Sequence, residues 1–262
     1  MGISIHYGLL FQEGSRAMLA ERLEVLSVMG LPVHVGTNYT RWLVARHRQG
    51  AGAHVVTLNA EMAMQSEQDP KLRQIIQAAD LVIPDGAGVV LYFRTKGRRI
   101  QRQPGIELAA DVLMALGPDE PVFFYGGAPG VAEQAATACQ RQMPKLAIAG
   151  IQHGFLPPEA FPAFEDRLKS LRPSVVLVGM GVPRQEFWIA EHRHLCPNAI
   201  WIGVGGSFDI WAGVKTRAPK WFCDNHLEWL YRLYKEPWRW RRMLALPKFA
   251  VRSLTYSPAR SQ

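Results

Sequence analysis

An aspartate that could act as a general base directly follows an apolar run, in Pro84-Asp85-Gly86-Ala87-Gly88. A carboxylate in that position can take the proton from an attacking hydroxyl group. The same side chain could instead cap the helix that follows it. The spacing alone leaves both interpretations of Asp85 open.

Two further polar residues could contact a substrate: Arg102, which precedes Pro104-Gly105, and Gln185, within Pro183-Arg184-Gln185-Glu186. A guanidinium group can bind phosphate through two hydrogen bonds, and an amide can donate to or accept from sugar hydroxyls and phosphate oxygens. Both residues also have a purely structural interpretation. Arg102 could be solvated within a basic stretch, and Gln185 could lie in the exposed first turn of a helix.

Glycine-rich turns follow three of the apolar runs, at Gly126-Gly127, Gly179-x-Gly181 and Gly203-x-Gly205-Gly206. Such turns let backbone N–H groups approach a phosphate, although turns in α/β proteins need glycine for structural reasons as well. None of them matches GxGxxG or GxxxxGK[ST]. This argues against a dinucleotide-dependent oxidoreductase and against a P-loop nucleotide hydrolase.

The sequence also lacks the common patterns for holding a metal ion. No Asp-x-Asp occurs in the chain, and the cysteines Cys139, Cys196 and Cys223 form no CxxC pair and show no ligand spacing with the eight histidines. Scattered cysteines of this kind are typical of reduced thiols in a cytosolic protein. We therefore expect neither a metal nor a cofactor.

The elements that must position these residues are short apolar strands alternating with helices, a pattern that predicts an α/β fold with a Rossmann-like, doubly wound, mostly parallel sheet. The predicted strands are Pro32–Gly36, Ala53–Leu58, Asp80–Pro84, Pro121–Tyr125, Leu146–Gly150, Ser174–Gly179 and Ala199–Val204. The predicted helices are a pattern through Leu19, Leu23 and Leu26, followed by Pro70–Ala79, Gly105–Leu116, Gly130–Gln142, Pro158–Leu171 and Arg184–His194. Ligands of such sheets bind beyond the carboxyl ends of the strands, where the polar and glycine-rich segments lie.

The excess positive charge is confined to the last fifth of the chain. Residues 214–262 hold 11 Lys and Arg against three Asp and Glu, which accounts for the whole net charge of +8. The same segment carries Trp221, Trp229, Trp238 and Trp240. Basic residues mixed with tryptophan favour an anionic membrane surface, and nucleic acid is the competing partner because bases also stack on aromatic rings.

The chain is expected to be soluble or peripheral to a membrane. No run approaches the about 18–20 apolar residues that a spanning helix needs, and charged residues from Glu13 onward do not fit a signal peptide. The change in composition near Gly213 predicts a Rossmann-like core at residues 1–213. Residues 214–262 are predicted to form a basic, Trp- and Arg-rich helical appendage that associates with the membrane.

Taken together and in order, these segments resemble the WecG/TagA/CpsF family of glycosyltransferases (glycosyltransferase family 26) from about residue 55 to about residue 242. The residues that carry the resemblance are Thr57-x-Asn59-x-Glu61, Asp85-Gly86-x-Gly88, Arg102-x-x-Gly105, Tyr125-Gly126-Gly127, Gly179-x-Gly181-x-Pro183-Arg184-Gln185-Glu186, Gly205-Gly206-Ser207-Phe208-Asp209, Arg217-Ala218-Pro219, Glu228-Trp229-x-x-Arg232 and Glu236-Pro237-x-Arg239.

The resemblance implies an inverting transfer of a hexose from a UDP-sugar to a polyprenyl-diphosphate-linked sugar, in the synthesis of cell-surface polysaccharide. The expected partners are therefore a UDP-sugar, a polyprenyl-diphosphate-linked acceptor and an anionic membrane surface, with no nucleic acid. The expected location is the cytoplasm, at the inner face of the plasma membrane. Because Asp-x-Asp is absent, arginines and backbone dipoles must stabilise the leaving UDP, which makes metal independence a prediction.

The resemblance also implies a role for each site residue. Asp85 is similar to the family's general base, and Arg102 and Gln185 would contact donor phosphate or substrate. Thr57 and Asn59 would line the sugar pocket, and Asp209 would lie near the nucleotide. The glycine turns would contribute Gly127 and Gly181 to substrate binding. The arginines of the appendage that would reach the lipid diphosphate are Arg232, Arg239 and Arg242.

Several points stay open at the level of sequence. N-acetylmannosamine is the favoured hexose, and the alternatives are a UDP-glucose-dependent β-glucosyltransferase of exopolysaccharide synthesis and a non-enzymatic nucleic-acid-binding α/β protein. A homo-oligomer is compatible with the sequence, which does not determine the oligomeric state. The acceptor sugar and the role of the N-terminal extension are likewise undetermined.

Overall fold

The computed structural model describes residues 23–256, which form a six-stranded parallel sheet covered by helices on both faces, together with a small antiparallel hairpin. The strands are β1 (Glu24–Val28), β2 (Leu31–Val35), β3 (Ala53–Leu58), β4 (Leu81–Pro84), β5 (Val122–Gly126), β6 (Ile148–Gln152), β7 (Val175–Gly179) and β8 (Ile200–Gly203). The order β4-β3-β8-β7-β5-β6 confirms the predicted Rossmann-like fold class.

The helices α1 to α9 belong to the predicted core and lie between or after the strands. They are α1 (Tyr39–Arg48), α2 (Ala60–Gln68), α3 (Pro70–Ala78), α4 (Ala87–Thr95), α5 (Gly105–Ala115), α6 (Val131–Gln142), α7 (Phe161–Leu171), α8 (Arg184–His192) and α9 (Ser207–Trp211). The predicted helices from residue 70 onward are all present with small changes at their ends. Helices α1, α2, α4 and α9 are additional to the prediction.

The sheet is buried on both faces because its strands are continuous apolar runs. Successive residues point to opposite faces, so that Val55 packs into one apolar cluster and Val56 into another. Asn59 and Asp69 accept hydrogen bonds from the first free N–H groups of α2 and α3. These caps start both helices immediately after their loops.

The helix predicted through Leu19, Leu23 and Leu26 is wrong where the structure describes it. Leu26 lies in strand β1 and pairs with Val33 of β2, while Leu19 lies outside the described residues. Met29 and Gly30 both have positive φ, as a tight two-residue hairpin turn requires. The predicted strand Pro32–Gly36 is present, but it pairs antiparallel in this hairpin instead of joining the parallel sheet.

The part of the appendage that the structure describes, residues 214–256, contains four α-helices, the first of which begins at Lys220. Its helices are α10 (Lys220–Asp224), α11 (Glu228–Lys235), α12 (Trp240–Met243) and α13 (Ala245–Thr255). Helix α13 packs on α2 and α4, with Phe249 buried in the apolar cluster that they share. Within residues 23–256, none of the helices is both long enough and apolar enough to cross a bilayer.

Candidate active site

A cleft of about 860 Å³ lies where strands β3, β4, β7 and β8 end. One part of the lining consists of the loops that follow these strands, together with residues 102–106 and the start of α8, and we name it the core wall. The other part consists of residues 214–246, and we name it the appendage wall. This is the edge at which the carboxyl ends of the parallel strands meet, as the sequence predicts.

Ten of the eleven predicted site residues line this cleft. They are Thr57, Asn59, Asp85, Arg102, Gly181, Gln185, Asp209, Arg232, Arg239 and Arg242. Gly127 lies outside the lining residues. Its N–H donates to the carbonyl of Gly179, and its own carbonyl accepts from Gly154, so it links the ends of neighbouring strands. Its assignment to substrate binding stays a prediction.

Asp85 directly follows β4 in the core wall, and charged residues of both walls lie close to it. Its Oδ1 accepts a hydrogen bond of 3.3 Å from the Gly105 N–H and lies 4.0 Å from Arg102 Nη2. Burial raises the pKa of the Asp85 carboxyl to about 6, against the opposing effect of the positive charges of Arg102 and Arg232. A carboxylate with a pKa close to neutral is suited to general base catalysis.

Arg102 is fixed from both sides. Its Nε donates to the backbone carbonyl of Asp85 at 2.6 Å, and its Nη2 donates to Glu228 Oε2 on the appendage at 2.5 Å. The guanidinium group is therefore paired and its side chain is only 12% exposed, so it is not the solvated arginine that the basic stretch also allowed. Glu228, which was not among the predicted site residues, joins the appendage to the core.

Gln185 belongs to a buried chain of polar groups in the core wall. Its Oε1 accepts hydrogen bonds from the N–H groups of Gly181 and Gly205, and its Nε2 donates to Glu186 Oε1. Glu186 Oε2 in turn lies 2.8 Å from His54 Nε2. The exposed fractions of His54, Gln185 and Glu186 are 2%, 1% and 0%. The interpretation of Gln185 as part of an exposed first turn is therefore wrong.

The chain of hydrogen bonds fixes the glycine turns of the core wall. The N–H groups of Gly181 and Gly205 donate to Gln185, so these two groups hold their own loops in place. A Cβ atom at Gly203 would lie 2.4 Å from Gln185 Nε2, which explains why this position needs glycine. The sequence could have indicated His54, because a histidine near the start of a mostly apolar strand is expected to have a buried hydrogen-bond partner.

The three predicted phosphate-binding arginines of the appendage are each paired with a carboxylate. Arg242 donates to both carboxylate oxygens of Glu61 on α2, at 2.7 and 3.0 Å. Arg232 pairs with Glu228, and Arg239 pairs with Glu236. All three side chains line the cleft, so the appendage wall presents guanidinium groups that bind anionic oxygens.

Asp209, at the start of α9, is linked to the appendage through a lysine. Lys215 Nζ lies 3.1 Å from Asp209 Oδ2 and 3.2 Å from a carboxylate oxygen of Glu236. Lys215 also lines the cleft but was not predicted as a site residue. Within residues 23–256, no three His, Cys, Asp or Glu side chains are grouped so that they could hold a metal ion. Metal independence stays a prediction.

Comparison with known proteins identifies relatives over most of the chain. The model of the glycosyl transferase WecG/TagA/CpsF family matches residues 26–262. An N-acetylglucosaminyldiphosphoundecaprenol N-acetyl-beta-D-mannosaminyltransferase of Bacillus spizizenii is 38% identical over 213 residues, which cover 80% of this chain and 82% of that protein. A protein of the same name from Bacillus subtilis is 34% identical over 224 residues, or 83% of this chain and 87% of the relative.

Proposed function

This chain belongs to the WecG/TagA/CpsF family of glycosyltransferases, and we propose that it transfers N-acetylmannosamine from a UDP-sugar to a polyprenyl-diphosphate-linked sugar. In this proposal the transfer inverts the anomeric centre and needs no metal. The observation that carries the proposal is Asp85, whose carboxyl has a pKa of about 6 and lies in a cleft whose appendage wall is lined by arginines.

The proposed reaction is a single displacement in which Asp85 acts as the base. The Asp85 carboxylate takes the proton of the acceptor hydroxyl. At the same time the hydroxyl oxygen forms a bond to the anomeric carbon, and the bond between that carbon and UDP breaks. Asp85 must be ionised for this step, so activity should be present above pH 6 and decline as the pH falls through about 6. A general base typically contributes about 10²–10⁴-fold to the rate.

Two diphosphates must be neutralised in this reaction, and the two walls supply different groups for them. The core wall offers Arg102 near Asp85, where we place the UDP-sugar, beside the glycine turns that Gln185 holds in place. The appendage wall offers Arg232, Arg239 and Arg242, where we place the acceptor's diphosphate. Guanidinium groups bind phosphate oxygens in the same paired geometry that Arg242 now makes with Glu61.

The choice of hexose rests on the relatives, whose names specify N-acetylmannosamine and an undecaprenyl-diphosphate-linked N-acetylglucosamine acceptor. Glucose as the donor hexose remains the alternative. The match to the glycosyltransferase family over residues 26–262 argues against the non-enzymatic nucleic-acid-binding alternative.

Exposed aromatic side chains of the appendage support placement at a membrane. Trp221, Tyr234, Trp238 and Trp240 are all exposed and lie among basic residues in the sequence. Aromatic rings and cations together bind the interface between an anionic headgroup layer and the acyl chains. We therefore place the protein at the inner face of the plasma membrane, peripherally bound and facing the cytoplasm, where a lipid-linked acceptor is within its reach.

The test is UDP release by the purified chain with polyprenyl-diphosphate-linked N-acetylglucosamine as acceptor, in the presence of EDTA. UDP-N-acetylmannosamine and UDP-glucose are compared as donors. We expect release that requires the acceptor, survives EDTA and is faster with UDP-N-acetylmannosamine. Faster release with UDP-glucose would replace the proposed donor, and loss of activity in EDTA would contradict the metal-independent mechanism.

A further inference from the structure

Glu228 occupies an unusual position for an acidic residue. It is one of only three Asp and Glu residues in the basic segment 214–262, and its side chain is almost completely buried at the start of α11. Burial alone would raise the pKa of its carboxyl, but the nearby charges of Arg232, Arg102 and Arg217 outweigh burial and lower that pKa. Glu228 is therefore a fixed negative charge that the appendage places in the cleft.

Glu228 and Asp85 compete for the same arginine. Arg102 Nη2 donates to Glu228 Oε2 at 2.5 Å, and the same nitrogen lies 4.0 Å from Asp85 Oδ1. Arg102 Nε is anchored on the backbone carbonyl of Asp85, so the guanidinium group would stay beside this residue if its bond to Glu228 were lost. Without Glu228, the Asp85 carboxylate is an acceptor that already lies close to Arg102 Nη2.

We propose that Glu228 is a positioning residue that holds the Arg102 guanidinium away from the Asp85 carboxylate, so that docking of the appendage leaves the base free. This inference rests on the proposed function, because it assumes that Asp85 acts as the base of the transfer. It also couples the two walls, since the charge that controls a core residue is supplied by the appendage.

The direction of the effect follows from the groups that face Asp85. These are Arg102 from the loop before α5, Arg232 and Glu228 from α11, and the N–H of Gly105. An ion pair between Arg102 and Asp85 would stabilise the ionised carboxylate and lower its pKa, and the loss of the Glu228 charge acts in the same direction. A carboxylate with a lower pKa is a weaker base toward the acceptor hydroxyl.

The experiment is the pH dependence of kcat and kcat/KM for the full chain and for Glu228→Gln. We expect the acidic limb of the Glu228→Gln profile to move down by about 1 pH unit. At pH 8 we expect kcat to fall by about threefold to tenfold, because the base is weaker by about one pKa unit. Glu228→Asp keeps the charge, so its acidic limb should lie closer to that of the wild type. Asp224→Asn removes an exposed charge of the same appendage and should match the wild-type profile.

Arg102→Gln tests the same coupling from the other side and serves if Glu228→Gln does not fold. Removing the positive charge should raise the pKa of Asp85 and move the acidic limb upward. A limb that stays in place in either variant, whatever the change in rate, would overturn the proposal and leave Glu228 with a structural role only. An inactive wild-type chain would instead refute the proposed function, so the two failures are distinguishable.

Discussion

The two walls of the cleft are built from different interactions. The core wall is supported by a chain of hydrogen bonds through His54, Gln185 and Glu186 that is almost completely inaccessible to solvent. In the appendage wall, Arg232 and Arg242 form ion pairs near the surface, and the Arg242 side chain is 49% exposed in its pair with Glu61. Both walls line the same cleft, and Asp85 of the core wall lies close to Arg232 and Glu228 of the appendage wall.

The difference indicates how each wall can respond to a substrate. Buried polar networks are costly to disrupt, so the core wall holds its glycine turns in one geometry before a ligand arrives. Exposed ion pairs contribute little stability and are weakened by salt. The arginines of the appendage wall can therefore exchange a carboxylate for a diphosphate oxygen at small cost. We therefore expect the UDP-sugar site in the core wall to be preformed, and the site for the acceptor's diphosphate in the appendage wall to adjust on binding.

The largest effect on activity is expected at Asp85. Asp85→Asn removes the base but keeps the size of the side chain, so kcat should fall by about 10²–10⁴-fold. UDP binding, measured by calorimetric titration, should stay close to that of the wild type. Asp119→Asn, at an exposed turn far from the cleft, is the control. Turnover near the wild-type rate in Asp85→Asn would exclude the proposed role.

The largest effect on stability is expected in the core wall. Glu186→Ala leaves Gln185 Nε2 and His54 Nε2 without their buried acceptor, and we expect the free energy of unfolding to fall by about 3 kcal/mol. Urea denaturation measures the change. Glu133→Ala is the matched control, because Glu133 also lies in a first helical turn but is exposed. Equal stability of the two variants would show that the buried chain does not stabilise this wall.

The smallest effect on stability is expected in the appendage wall. Arg242→Gln breaks an exposed ion pair, which should cost no more than about 1 kcal/mol in the free energy of unfolding. The KM for the lipid-linked acceptor should nevertheless rise about tenfold, because a charge-assisted hydrogen bond to its diphosphate is lost. Arg241→Gln, the neighbouring residue outside the cleft lining, is the control. An unchanged acceptor KM in Arg242→Gln would remove this arginine from the acceptor site.

The sequence predicts the core wall better than the appendage wall, for a physical reason. Asp85 and Asn59 directly follow apolar strands and Thr57 lies near the end of one, and the ends of parallel strands must meet at one edge of the sheet. The hairpin was missed because the spacing of Leu19, Leu23 and Leu26 also fits a helix, whereas the paired turn at Met29 and Gly30 carries no strong turn signal.

Two of the arginines, Arg102 and Arg242, have carboxylate partners that could not be predicted from local patterns, whereas the partners of Arg232 and Arg239 are four and three residues away. Glu61 and Arg242 are 181 positions apart, and Arg102 and Glu228 are 126 apart. Such contacts depend on how the appendage docks against the core, which no short-range pattern specifies. The burial of Glu186 was equally hidden, because a glutamate in a first helical turn is usually exposed.

The most direct test of the two-wall account is a comparison of the donor and acceptor KM values of Glu186→Ala and Arg242→Gln under the same conditions. We expect the KM for the UDP-sugar to rise in Glu186→Ala while the acceptor KM stays within about twofold. In Arg242→Gln the opposite is expected, with a higher acceptor KM and an unchanged donor KM. If both KM values rose together in each variant, the two walls would not have separate roles and the account would be contradicted.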